Sequence, residues 1–209
     1  MNRKRRGVEM EENRNMKSVF QVTGRIVSGL SKTLDTSEGK ATLANLRNSI
    51  GKPLSETVDI WPLVFSNLPD EFLSASGHVT HEEEAILTAL QLYAVHQQGS
   101  RVSVSLLEKT DEWENMGKSL SYLRSQDSTA IDRRFNTMIT ATDFEELIHH
   151  LRQMIKLLKA KEQGKVNYAR LAEDLYWFSR GYPESVRIRW TQSYYRTQKP
   201  KDKGDIENA

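Results

Sequence analysis

Apolar residues in this chain recur every third or fourth position and almost never every second one. Phe144, Leu147, Ile148, Leu151, Ile155 and Leu158 form the strongest such stripe. A helix of 3.6 residues per turn puts these side chains on one face, whereas a strand would scatter them over two. Met16, Val19, Phe20, Thr23, Ile26, Val27, Leu30 and Leu34 repeat the spacing. Val102–Val104 is the single β-like fragment and is too short to found a sheet. The chain is therefore expected to be all-α, with about eight helices in one or two packed helical bundles.

Local signals divide the chain further. A second helix is predicted over Ser37–Ile50, with Leu43, Leu46 and Ile50 facing inward, Gly51 at its C-terminal turn and Pro53 just beyond. Pro53, Pro62, Pro69 and Gly77 punctuate residues 52–80, leaving a short helix near Thr57–Phe65. Thr80 with Glu83 forms a capping box that opens a helix to about Gln98, apolar on most faces and so central; Gly99 ends it. Further helices are expected through Met116, Leu120 and Leu123, then from a Ser128 cap through Ile131, Phe135, Met138 and Ile139. Thr142 with Glu145 is read as the capping box of the 144–158 helix, which Gly164 stops. Val166–Ser179 and Pro183–Thr197 complete the set, Pro183 suiting a first helical turn. Residues 1–14 and 198–209 read as disordered tails around a helical domain at 15–197. A hinge between N- and C-terminal bundles would fall in 52–80 or 99–114.

Hydrophobic residues make up 37% and charged residues 28%, ordinary values for a globular chain. The longest apolar stretch, Ala85 to Val95, is broken by Thr88 and Gln91 and falls short of the roughly 20 residues that span a bilayer. The basic start Met1-Asn-Arg-Lys-Arg-Arg runs into an acidic, Asn-rich stretch, so no signal peptide is read there. A cytoplasmic protein without membrane contact is expected. The absence of cysteine removes disulfides, thiolate metal sites and a thiol nucleophile.

No phosphate-binding glycine loop, nucleophile elbow or calcium loop is present. His78 and His81 precede three glutamates, but Ala85 stands where a zinc-binding HExxH would need its second histidine. His149 and His150 are adjacent and point about 100° apart on a helix. Asp111, Glu112 and Glu114 read as solvated loop charge. Neither catalysis nor a metal or other cofactor is expected.

Basic residues carry the remaining signal. Lys40 and Arg47, seven apart, share a helix face bordering Leu43 and Leu46. Arg133 and Arg134 follow Ile131, Arg152 follows Leu151, and Arg187 and Arg189 bracket Ile188 beside Trp190. The formal net charge is only +2, so nucleic-acid binding would rest on where these charges sit. The pattern by itself leaves nucleic-acid binding and protein–protein interaction both open. A free-standing transcription factor is disfavoured, for no helix–turn–helix signature is visible.

Eight segments, in order, resemble the CasB family. They are Leu43-Ala-Asn-Leu-Arg-Asn-Ser-Ile-Gly51, Asp59-Ile-Trp-Pro-Leu-Val64, residues 84–98, Gly117-Lys-Ser-Leu120, Ala130-Ile-Asp-Arg-Arg-Phe135, Glu146-Leu-Ile-His-His-Leu-Arg152, residues 166–175 and Val186-Arg-Ile-Arg-Trp190. CasB is the small subunit of the type I-E CRISPR surveillance complex Cascade. The resemblance, over about residues 37–195, implies an all-α, non-catalytic subunit present in two copies. Its implied partners are crRNA, target DNA, the other Cascade subunits and its own second copy. It implies stabilisation of the crRNA–target R-loop and the displaced strand, in antiviral defence. The family's basic positions match Arg47, Lys118, Arg133 or Arg134, and Arg152; where the family often has a second basic residue, this chain has Asn48 and Gln153. The competing reading is a pure scaffold whose basic side chains meet acidic surfaces of neighbouring subunits.

Overall fold

A computed structural model describes residues 19–106, 114–124, 129–162 and 164–196. The two expected tails, the Ser128 cap and the loop acids Asp111 and Glu112 lie outside these residues. The described chain is all-α. Its helices are α1 (residues 19–32), α2 (Ser37–Asn48), α3 (Trp61–Phe65), α4 (His81–Gln97), α5 (Met116–Ser121), α6 (Thr129–Ile139), α7 (Phe144–Ala160), α8 (Tyr168–Ser179) and α9 (Pro183–Tyr195). Residues 52–80 contain three short 3-10 turns beside α3; Pro53 and Pro69 stand just before two of the turns and Pro62 lies in the first turn of α3, where proline is tolerated.

Helix α4 is the centre. Thr80 caps it and Glu83 reaches back to the Thr80 N–H, completing the expected box. Ala85, Ile86, Ala89, Leu90, Leu92, Tyr93 and Ala94 are all sealed from solvent. Helices α2, α7 and α8 pack around it. α1 contributes Val19, Val22, Ile26, Val27 and Leu30 to the same core, α6 adds Phe135 and Met138, and α9 adds Val186, Trp190 and Tyr194.

Two details differ from the reading of the sequence. The cap of α7 is Asp143, whose carboxylate accepts from Glu146 N at 2.8 Å, and Glu146 accepts from Thr142 N at 2.6 Å. The cap thus sits one residue later than the expected Thr142–Glu145 box, because Asp143 is also a good N-cap, and Glu146 reaches past it to Thr142. Val166 precedes α8, where Asn167 is the cap. Val166 instead pairs with the β-like fragment: its N–H donates to Val104 O, and Leu106 N donates to Val166 O, both at 3.0 Å.

The C-terminal helices are held by close approach and buried polar bonds. A Cβ on Gly117 would stand 1.9 Å from the Trp190 carbonyl oxygen, so α5 and α9 meet backbone to backbone only because residue 117 is glycine. Asn115 caps α5 and donates to Ser193 Oγ at 2.8 Å. Between α8 and α9, the buried Asp174 carboxylate accepts from Trp190 Nε1 at 2.6 Å and from the Arg189 guanidinium at 2.8 Å. Burial pushes that carboxyl up, and the two donors oppose the shift. Arg189→Ala leaves an anion buried with one partner fewer, a loss of about 1–3 kcal/mol, whereas Arg133→Ala on the exposed face of α6 should stay within about 0.5 kcal/mol of wild type. Urea unfolding of both variants checks this; equal midpoints would contradict the clasp.

His96, near the end of α4, is 3% exposed and its Nδ1 lies 2.9 Å from the Tyr168 hydroxyl. Burial, and secondarily the charge of Lys159, pushes the imidazole down to about 4. A histidine depressed from about 6.5 supports the fold above that pH and withdraws support as pH falls toward 4. Glu173 on α8 slopes the other way, since burial raises it to about 7. Comparison with His96→Gln cancels the Glu173 contribution. Between pH 7 and 4.5 the wild type should lose about 2–3 kcal/mol relative to the variant, and parallel pH profiles would contradict the assignment.

Candidate nucleic-acid interface

Burial of Leu43 and Leu46 draws α2 onto α4 and fixes where its basic residues stand. Lys40 and Arg47 emerge two turns apart, beside the C-terminal end of α4. Arg47 donates to the Ala94 carbonyl at 3.3 Å, in the last turn of that helix, and Lys40 donates to Asp35 O at 3.1 Å. A helix C-terminus exposes unpaired carbonyl groups and partial negative charge, which attract cations. Burial pushes the Arg47 guanidinium down from its ordinary value, yet an arginine stays charged in any protein setting.

The turn after α4 brings in a third cation. Gly99 takes φ of +87°, and the chain folds back so that Arg101 faces the other two. Lys40, Arg47 and Arg101 line one cavity of about 250 Å³, together with Leu34, Leu43 and residues 97–100. Asp35 is the carboxylate of that lining. Among the described residues no carboxylate comes within 4.0 Å of any of the three cations. Arg101 carries no periodic signal, since it lies in a loop; only the glycine two residues before it hints at a turn back toward α2.

A second basic site lies between α6 and α7. Arg133, Arg134, Thr137, His150, Gln153 and Met154 line a cavity of about 370 Å³. α6 is seated by Phe135, stacked on Tyr194 with ring centroids 3.7 Å apart, and by Asp132, which accepts from Tyr194 at 2.7 Å and pairs with Arg124 at 3.0 Å. That pairing occupies the acid next to Arg133 in sequence, and Arg133 and Arg134 are both exposed and line the cavity. Gln153, the neutral residue after Arg152, bonds His149 at 2.8 Å. Asn48, the neutral residue after Arg47, is exposed at the end of α2.

The remaining basic residues are placed differently. Lys118 lies over the Tyr122 ring at 5.5 Å and lines neither cavity. Arg152 is half-buried, with an Nε that has no hydrogen-bond partner among the described residues. Arg187 pairs with Glu184, donates to the Ala141 carbonyl and lies over Phe178; Arg189 holds Asp174. Both hold the protein together internally.

Among the described residues no group of three His, Cys, Asp or Glu side chains could hold a metal ion, and no helix is long and apolar enough to cross a membrane. His78 and His81 are both exposed.

Comparison with curated proteins gives no match. Among solved structures, CasB from Thermobifida fusca is 24% identical with a TM-score of 0.67, covering 84% of this chain and 97% of that one. CasB from Thermus thermophilus is 26% identical with a TM-score of 0.57, covering 83% and 97%. A chain of a CRISPR RNA-guided surveillance complex is 18% identical with a TM-score of 0.63, covering 85% and 94%. The family model of CRISPR-associated protein Cse2 matches residues 42–195, the span that holds α4 and both basic cavities apart from Lys40 and its neighbours. The chain belongs to the CRISPR-associated Cse2 family.

Proposed function

We propose that this chain is the small, non-catalytic subunit of the type I-E CRISPR Cascade complex. It stabilises the crRNA–target DNA R-loop and the displaced strand in antiviral defence. The observation that carries the reading is the cavity at the end of α4, where Lys40, Arg47 and Arg101 converge without a carboxylate pairing any of them. Family membership and likeness to a chain of a CRISPR RNA-guided surveillance complex support the setting.

The energetics suit such a role. Exchanging a DNA duplex for an RNA–DNA heteroduplex is nearly balanced, so a few backbone contacts tip it. Arginine meets phosphate oxygens bidentately, and each phosphate neutralised makes binding more sensitive to salt. The best-supported contacts are Lys40, Arg47 and Arg101 on one side and Arg133 and Arg134 on the other. Lys118 and Arg152 are secondary contacts, and Arg187 and Arg189 contribute through the fold that carries the others.

A scaffolding role accompanies this one. Val58, Trp61, Phe65, Leu73 and Val79 expose apolar surface along residues 58–79, which suits contact with protein neighbours, including other Cascade subunits or a second copy of this chain.

Alanine variants at Arg47, Arg101, Arg133 and Arg134, assembled into the complex one at a time, test the reading. Each should shorten the R-loop lifetime severalfold and reduce the log–log salt slope by about 0.9 per lost contact, with little dependence on target sequence. Lifetimes and slopes equal to wild type throughout would leave only the scaffold. Failure of the variants to join the complex would make the basic surface a protein interface.

A further inference from the structure

Two cavities meet at the turn that ends α4. Both are lined by Gln98, Gly99 and Ser100, so these residues form a shared rim. The first holds the Lys40–Arg47–Arg101 cluster. The second, of about 570 Å³, lies on the far side, between the segment 98–104 and the end of α7 with the turn that follows.

The lining of this second cavity is chemically divided. Lys159 and Lys165 supply positive charge, Gln98, Ser100 and Ser103 supply hydrogen-bonding groups, and Val102 and Val104 supply an apolar wall. Lys159 Nζ donates to Gln98 Oε1 at 2.8 Å. Glu162 is the one carboxylate of the lining, and among the described residues no carboxylate lies within 4.0 Å of either ammonium. Val102 is 69% exposed, an apolar side chain held out beside cations.

That wall is preformed. The buried Gln97 amide donates to Ser100 O at 3.0 Å and to Val102 O at 2.9 Å, and accepts from Val104 N at 3.0 Å. Ser103 Oγ bonds Ser31 Oγ of α1 at 2.9 Å, and the short ladder with Val166 holds the far end. A loop fixed this firmly loses little entropy when a ligand arrives.

We propose that the second cavity takes a single unpaired nucleotide of a strand crossing the rim, with its phosphate at Lys159 and Lys165 and its base against Val102 and Val104. The inference rests on the nucleic-acid reading of the first cavity. An unpaired nucleotide has the three properties the lining divides: an anionic phosphate, a flat apolar face and a polar edge. A paired and stacked duplex offers no base to a hollow of this size. Valines make a weaker platform than aromatic rings, so the contact tolerates any base.

The test uses the assembled ribonucleoprotein on its DNA target, with guide and both DNA strands labelled separately. A benzophenone amino acid at position 102 should cross-link to a single-stranded DNA segment. Cross-linking to a protein neighbour instead would overturn the proposal. The double variant Lys159→Ala, Lys165→Ala should cut that cross-link severalfold and lower the salt slope of R-loop binding by about 1.4, from about 0.7 per single-strand contact. If Arg47→Ala and Arg101→Ala weaken the R-loop while the lysine double variant behaves as wild type, the second cavity is empty of nucleic acid and the first reading stands. If none of these variants has an effect, both fall together.

Discussion

Helix α4 is enclosed on nearly every side, and the rest of the fold follows from that enclosure. Its run Ala85, Ile86, Ala89, Leu90, Leu92, Tyr93 and Ala94 leaves only the narrow, part-exposed line of Glu84, Leu87 and Gln91 toward water, and α2, α7 and α8 cover the rest together. Truncating a fully buried leucine of this kind costs about 2–5 kcal/mol. A buried helix still has to end, and its last carbonyl groups need partners. In this chain the end of α4 reaches the surface among cations: Arg47 on one carbonyl, Lys40 beside it, Arg101 on the returning loop and Lys159 across the rim. The packing that places the core therefore also places the basic surface.

The low net charge of +2 conceals this surface, because several acids are used up elsewhere. Glu83 and Glu146 serve helix caps, Asp132 is bound by Arg124 and Tyr194, Glu173 pairs with Arg170, and Asp174 is clasped by Arg189 and Trp190. Local charge decides what a surface binds, and here it departs from the sum.

The helical class, the central helix and its capping box were legible because periodicity and caps are local signals. Leu43 and Leu46 gave the face of α2, and with it the pairing of Lys40 and Arg47. Arg101 was not legible, for its position depends on a loop returning under the hold of Gln97. Nor was the internal commitment of Arg187 and Arg189, since Ala141 and Asp174 lie 46 and 15 residues away in sequence. The close approach of Gly117 to Trp190 was likewise invisible, being a contact between separate helices. Helical spacing shows which residues share a face, while tertiary packing decides which of them remain free to bind.

The most direct measurement of the central claim is a structure of the assembled complex on its DNA target, resolved well enough to place phosphates. Phosphate oxygens should lie within hydrogen-bonding distance, roughly 2.7–2.9 Å, of the guanidinium groups of Arg47 and Arg101. An acidic protein surface filling that cavity, with the nucleic acid passing elsewhere, would contradict the account.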